Sequence, residues 1–218
     1  MTIALRTPRL LLRQWRDEDV EPAVAMMADP EVSKLLLGPY DRARSEEWVA
    51  SLRGYWRKHG YGHWVVEVPG EAAFAGEVGL NRIAWDAHFT PAVEVGWRLA
   101  RRFWGRGIAF EAARATIEDG FARLGLAEIV AITTPPNRLS WRLMERLGMV
   151  RDRDGDFDHP RVPDGHPLKR HVLYRATGWS SEQGEAGPPP SATRNPVMTS
   201  SKINTAPWTV ATCRRCCR

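Results

Sequence analysis

Cysteine is nearly missing from this chain: there are three, Cys213, Cys216 and Cys217, all at the extreme C-terminus. The remainder can form no disulfide and offers no thiol nucleophile. Cys213-x-x-Cys216 has the spacing of half a zinc site, but no second ligand pair stands near it. Asp158, His159, His166 and His171 match no zinc spacing either, and Pro160, Pro163 and Pro167 interrupt them, so no metal is expected. Long apolar runs are also absent. Met1 to Arg6 carries neither a signal-peptide pattern nor a span, and the expectation is a cytoplasmic protein with no membrane partner. Charge of one sign is scarce as well. The formal net charge is +5, but the stretch from Trp179 onward holds Arg194, Lys202, Arg214, Arg215 and Arg218 against only Glu182 and Glu185. The part before it is close to neutral, which argues against a nucleic-acid partner, since that calls for basic residues gathered on one face.

What is present fits one domain. The chain has 218 residues, 43% of them hydrophobic, enough for a real core. Arg9 to Trp15 reads as a strand. Asp17 is placed to cap a helix to Ala28, and shorter and longer helices follow over Glu31 to Leu37 and Ser45 to Lys58. Three strand-like runs come next, His63 to Val68, Phe74 to Ile83 and Ala92 to Leu99, with connections short enough for antiparallel pairing. Ile108 to Leu124 has an apolar stripe suited to packing on a sheet. With Glu128 to Thr134 behind it, it makes a strand-helix-strand unit and hence a parallel pair. Asn137 caps a helix from Arg138 to Leu147, with Arg138, Arg142 and Arg146 facing out. Arg151 to Gly165 is polar and reads as a loop, and Arg170 to Thr177 as a last strand. From Gly178 the chain turns to Pro188-Pro189-Pro190, serine, threonine and isolated arginines. The division is therefore a folded unit over 1–177 and a disordered, dispensable tail over 178–218. His63 and His88 read as polar residues at strand ends.

The centre of the pattern is Arg102-Phe103-Trp104-Gly105-Arg106-Gly107-Ile108-Ala109, directly between a strand and a helix. Two glycines let the backbone turn tightly and approach a ligand closely, and the following helix N-terminus offers unpaired N–H groups and the positive dipole end to phosphate. The spacing is neither a P-loop, since no Lys-Ser/Thr follows the second glycine, nor a dinucleotide fingerprint, since Phe110 stands where the third glycine would be. It fits R/Q-x-x-G-x-G/A.

With that turn the chain resembles the GCN5-related N-acetyltransferases, and within them the RimJ/RimL-like branch. The resemblance runs from Thr7-Pro8-Arg9-Leu10-Leu11-Leu12-Arg13 through Ala92-Val93-Glu94-Val95-Gly96-Trp97 and Asn137-Arg138-Leu139-Ser140 to Leu173-Tyr174. It implies an α+β acyltransferase fold: a mixed, mostly antiparallel sheet with a splayed parallel pair and helices on both faces. It implies acetyl-CoA as co-substrate, held by Trp97, Arg98, Leu99, Arg102, Gly105, Arg106, Gly107, Ile108, Ala109 and Asn137. The acceptor it implies is a primary amine, either a protein N-terminus or a small molecule, attacked without a covalent enzyme intermediate; a homodimer is compatible with it. A non-catalytic acyl-CoA-binding sensor is the competing reading.

An amine acceptor is mostly protonated at neutral pH, so transfer needs a base. Glu94 is the candidate. Alternation puts Val93, Val95 and Trp97 on one face of the strand and Glu94, Gly96 and Arg98 on the other, where partial desolvation would raise a carboxyl pKa. The alternative is a glutamate that merely pairs with Arg82 or Arg98. The resemblance further implies that N–H groups of Trp97 or Arg98 stabilise the thioester oxygen, with Gly96 compatible with a bulge or a splayed pairing. Many family members use a tyrosine to protonate the departing thiolate, but Met144 stands at that position. The branch offers Ser140 instead, which as a first-turn serine could equally serve only as a local hydrogen-bond partner.

Overall fold

The computed structural model of the chain describes residues 3–179 and 186–187. Its strands are β1 (Leu5–Arg6), β2 (Leu11–Arg13), β3 (His63–Val68), β4 (Ala72–Arg82), β5 (Val93–Leu99), β6 (Glu128–Thr133), β7 (Val150–Asp158), β8 (Arg170–Trp179) and β9 (Ala186–Gly187). In space they run β1-β2-β3-β4-β5-β6-β8-β7, with β9 against β8. Every pairing is antiparallel except β5 with β6. Among the described residues the α-helices are α1 (Val20–Ala28), α2 (Pro30–Ser33), α3 (Arg42–His59), α4 (Ile108–Ala122) and α5 (Arg138–Arg146). The expected fold class is what the structure has: a mixed sheet with one parallel pair and helices on both sides.

Alternation within the strands divides the core between the faces. Trp64, Val66, Val78, Leu80, Val95, Ile129, Ala131, Val172 and Tyr174 meet Ile108, Ala112, Ala113 and Ile117 of α4, Met144 of α5 and Leu147 just past its end. On the other face Val65 and Phe74 pack against Ala23, Met26 and Met27 of α1 and Val49 of α3, while Val130 and Leu173 lie under Ile83, Phe89 and Phe157. Gly76 (φ +145) makes this division possible. A Cβ there would stand 2.2 Å from the Arg98 carbonyl oxygen, and the kink it permits lets Phe74 and Val78, both even-numbered, face opposite sides.

Several expected boundaries move, each for a local reason. Asp41, not Ser45, begins α3, because its carboxylate accepts the Arg44 N–H at 2.8 Å; Gly60 in the left-handed region ends it. Asp17 does not cap α1. A 3-10 turn over Asp17–Asp19 precedes the helix, and the acid that ties it is Asp19, which is buried, accepts the Arg16 N–H and takes two bonds from Arg13 at 2.8 Å. The Arg151 to Gly165 loop is corrected most. Val150–Asp158 is strand β7, because Arg151 bonds Asp156 at 2.6 Å and Asp152 meets Arg175 of β8 at 2.8 Å, so its charges are partnered within the sheet. Strand β8 runs two residues past Thr177. Apart from Gly178, Trp179 and β9, the tail expected to be disordered, including its three cysteines, lies outside the described residues. Among the described residues no helix is long and apolar enough to cross a membrane, and no three His, Cys, Asp or Glu side chains gather as a metal site.

Candidate active site

Strands β4 and β5 pair continuously from Arg82↔Val93 to Gly76↔Leu99, whereas β5 and β6 pair only at Glu94↔Val130. Past that rung the two parallel strands part, and the gap between them belongs to a cleft of about 1070 Å³. No register shift occurs at Gly96; of the two expected arrangements, a bulge or a splayed pairing, the structure has the splayed one, opened on the β6 side. Of the sequence-predicted residues, Glu94, Trp97, Arg98, Leu99, Gly105, Gly107, Ile108, Ala109, Asn137 and Ser140 all line this cleft.

The turn is built as its glycines require. Gly105 (φ +73) and Gly107 (φ +78) adopt a conformation that L side chains rarely hold, and a Cβ on Gly105 would project into open space. Gly107 is the N-cap of the 15-residue α4, and no side chain caps the helix, so its first N–H groups are left for another acceptor. From behind, Arg9 Nη1 donates to the Arg106 carbonyl at 3.0 Å, and Arg9 is itself held by Glu111 at 2.6 Å. The side chains of Arg102 and Arg106 lie outside the cleft lining. Arg106 makes a two-pronged pair with Glu71 at 2.6 and 2.7 Å, and Arg102 lies 4.8 Å over the Phe103 ring. Among the cations that do border the cleft are Arg138, Arg142 and Arg146 on α5, whose outward face proves to be part of the cleft rim.

Asn137 accepts the Ser140 N–H at 3.3 Å and donates to Thr133 at 3.0 Å, so it caps α5 as expected. Ser140 Oγ accepts from the Trp97 indole at 3.3 Å, which leaves its own proton free to point elsewhere. Met144 is buried and has no proton to give. Sequence reasoning missed Thr134, which lines the cleft while its Oγ1 is buried without a hydrogen-bond partner.

The larger omission is His63. It does stand at a strand end, as the first residue of β3, but its ring is engaged: Nδ1 meets Glu77, Nε2 lies 2.9 Å from Asn81 Oδ1, and a Cβ on Gly96 would come within 3.2 Å of it. Its carbonyl accepts from both Trp15 and Trp56, at 2.9 and 2.8 Å. Register then places Asn81 opposite Glu94 and Glu77 opposite Arg98, so β3, β4 and β5 bring His63, Glu77, Asn81, Glu94 and Arg98 onto one face. Burial pushes the Glu94 carboxyl up to about 7, against the opposing pull of His63, Asn81 and Arg98. Burial would lower His63, but the charge and hydrogen bond of Glu77 overcome it and hold the imidazole above its ordinary value. Glu77 is held below the usual carboxylate range: burial opposes this, and His63 and Arg98 outweigh it. Glu94 is half-buried and borders the cleft, where its carboxyl is accessible to a ligand.

The far end of the cleft is aromatic. Trp48, Leu52, Tyr55, Trp85, His159 and His171 line it. Burial lowers His159 to about 4 and lowers His171 as well, so both are neutral at pH 7.

Comparison with known proteins places the fold in a family. The family model described as "Acetyltransferase (GNAT) domain" matches residues 9–150. The uncharacterized protein YkkB of Bacillus subtilis is 31% identical over 66% of this chain and 84% of its own. The FsC-acetyl coenzyme A-N(2)-transacetylase of Aspergillus fumigatus is 30% identical over 67% and 64%. The crystal structure of an acetyltransferase from Agrobacterium tumefaciens superposes with a TM-score of 0.65 at 29% identity, covering 82% of this chain and 96% of that one. The chain belongs to the GNAT acetyltransferase family and is, with that family, an acyltransferase.

Proposed function

We propose that the chain is an acetyl-CoA-dependent N-acetyltransferase of the RimJ/RimL-like type, in which a primary amine attacks the acetyl group directly. The observation that carries the reading is Glu94, a carboxyl poised near pH 7 at the point where β5 and β6 part. The residues fit the cofactor. The uncapped N–H groups after Gly105 and Gly107 suit a pyrophosphate, Arg138, Arg142 and Arg146 add positive charge at the rim, and the unpartnered Thr134 Oγ1 has a use if a polar ligand lies beside it. Bound acetyl-CoA supplies the acetyl thioester.

In this reading Glu94, as carboxylate, takes the proton that the acceptor ammonium must lose, directly or through one water. The N–H of Trp97, on the side of β5 without a β6 partner, is the candidate donor to the oxygen on which charge develops, whereas that of Arg98 faces β4 in the ladder. Ser140, its oxygen held by Trp97, is the donor to the leaving sulfur. The acceptor's character follows from the walls. Trp48, Tyr55 and Trp85, the neutral imidazoles of His159 and His171, and few free acids favour an amine on an apolar or aromatic body over a polycation. The test is free-thiol release from acetyl-CoA against a panel of N-terminal peptides, aromatic and aliphatic amines and polyamines, using protein without the cysteines of the tail. Turnover with an aromatic or apolar amine, lost in Glu94→Gln, is the expected result. Cofactor binding with no turnover on any acceptor would leave the sensor reading in its place.

A further inference from the structure

We propose that His63 is a positioning residue for the transfer: clamped by Glu77, it fixes the Asn81 amide so that Asn81 presents its N–H groups to Glu94 and holds that carboxylate ready at the cleft. The inference rests on the reading of Glu94 as the base and goes one layer behind it.

The geometry is specific to an oriented chain of donors. His63 meets a carboxylate through Nδ1 and a carbonyl oxygen through Nε2, so both ring nitrogens face acceptors and the imidazolium is the form that satisfies both. Asn81 is then not free to choose its orientation. With Oδ1 accepting from His63, its Nδ2 is the end left for Glu94, its partner across the β4–β5 ladder. Turned the other way, Asn81 would set a carbonyl oxygen against a carboxylate, and the base would lose a donor and gain a repulsion. Room for the ring is made by glycine twice: a Cβ on Gly79 would stand 2.1 Å from His63 Cα, and one on Gly96 would stand 3.2 Å from its Cε1.

Other charged and titratable groups around Glu94 are few. His63 comes from β3, Glu77 from β4 and Arg98 from β5 itself. Tyr55 of α3 spends its hydroxyl on Tyr61 and the Arg82 N–H. His159 and His171 line the same cleft as neutral rings.

The experiment compares the acid limb of kcat/KM in four proteins: unaltered, Glu94→Gln, Asn81→Leu, and the paired His63→Leu/Glu77→Leu, which leaves neither charge buried alone. Asn81→Leu and the pair should each move the limb up by about one pH unit, so the deficit is about tenfold on the acid side and vanishes in alkali. Combining them should shift the limb by less than the sum, because the part of the His63 effect that runs through Asn81 is already lost in Asn81→Leu. A merely structural role lowers turnover equally at all pH values. Should the paired variant fail to fold, Asn81→Leu decides alone. A limb that stays in place in folded Asn81→Leu overturns the inference, as do two shifts that add. In the unaltered protein, 15N spectra should show His63 protonated on both nitrogens at pH 7, and a neutral ring would overturn it too. Glu94→Gln separates the two failures: full activity in that variant removes the base itself, whereas loss there with an unmoved limb in the others removes only the role of His63.

Discussion

The two ends of the cleft are made by different means. The proposed phosphate turn is backbone work: two left-handed glycines, an uncapped helix start and a rear brace from Arg9. The proposed base, Glu94, is side-chain work, assembled from β3, β4 and β5, with burial and four polar neighbours shifting its pKa. The first kind of site depends on which conformations each residue permits, the second on which residues the sheet register brings face to face. Substitutions should therefore fail differently at each end: in binding at the turn, in pH dependence at the base.

The largest effect sharpens that contrast. Glu94→Gln should bind acetyl-CoA as before and lose turnover by a factor on the order of 100 at pH 7 to 8, the usual scale of general-base catalysis. The unaltered acid limb should lie near 7. Stability should move the other way. A carboxyl raised from 4.5 to about 7 contributes stability below its unfolded value that is lost as pH rises through 7, so Glu94→Gln should melt no lower at pH 5 and higher than the parent at pH 8. A variant less stable at pH 8 would mark Glu94 as structural.

Next in size, Gly107→Val should weaken acetyl-CoA binding on the order of tenfold or more, because it forces a β-branched residue to φ +78 and crowds Arg9 Nη2 at 3.3 Å. Calorimetry giving an unchanged affinity in a folded variant would break the backbone half of the comparison. Ser140→Ala should lower turnover less than about tenfold, since a thiol is acidic enough to leave with little help, and should leave the acid limb untouched. A shifted limb would mean that Ser140 belongs to the base instead. The smallest effect is Arg106→Ala, less than about twofold in affinity, because its guanidinium is exposed and already paired with Glu71. A loss matching that of Gly107→Val would show that side-chain charge, not backbone, holds the phosphates.

The same contrast explains what the sequence disclosed. Gly105, Gly107, Asn137 and the alternation around Glu94 act through their immediate neighbours, so a linear reading finds them. His63 could not be found that way: its partners lie 14 and 18 positions further on, and only the register of β3 with β4 makes them neighbours. Strand β7 was hidden for a related reason. Arg-Asp-Arg-Asp-Gly-Asp has the composition of a loop, and what makes it a strand is the arginine waiting on β8. Arg138, Arg142 and Arg146 were rightly placed on the outward face of α5, but which outward surface is the rim of a cleft depends on where the helix sits.

The single rung between β5 and β6 has a further consequence. Beyond Glu94↔Val130 the molecule contains two strand edges that look at each other across a gap instead of out into water. An exposed edge is a template that proteins must blunt against aggregation. Here the template is turned inward, where only something slender enough to enter the gap can use it. The backbone groups along it need partners as any others do. A ligand that is extended and carries amides of its own can meet them as an added strand would, so the fork selects for a chain-like guest before any side chain is consulted.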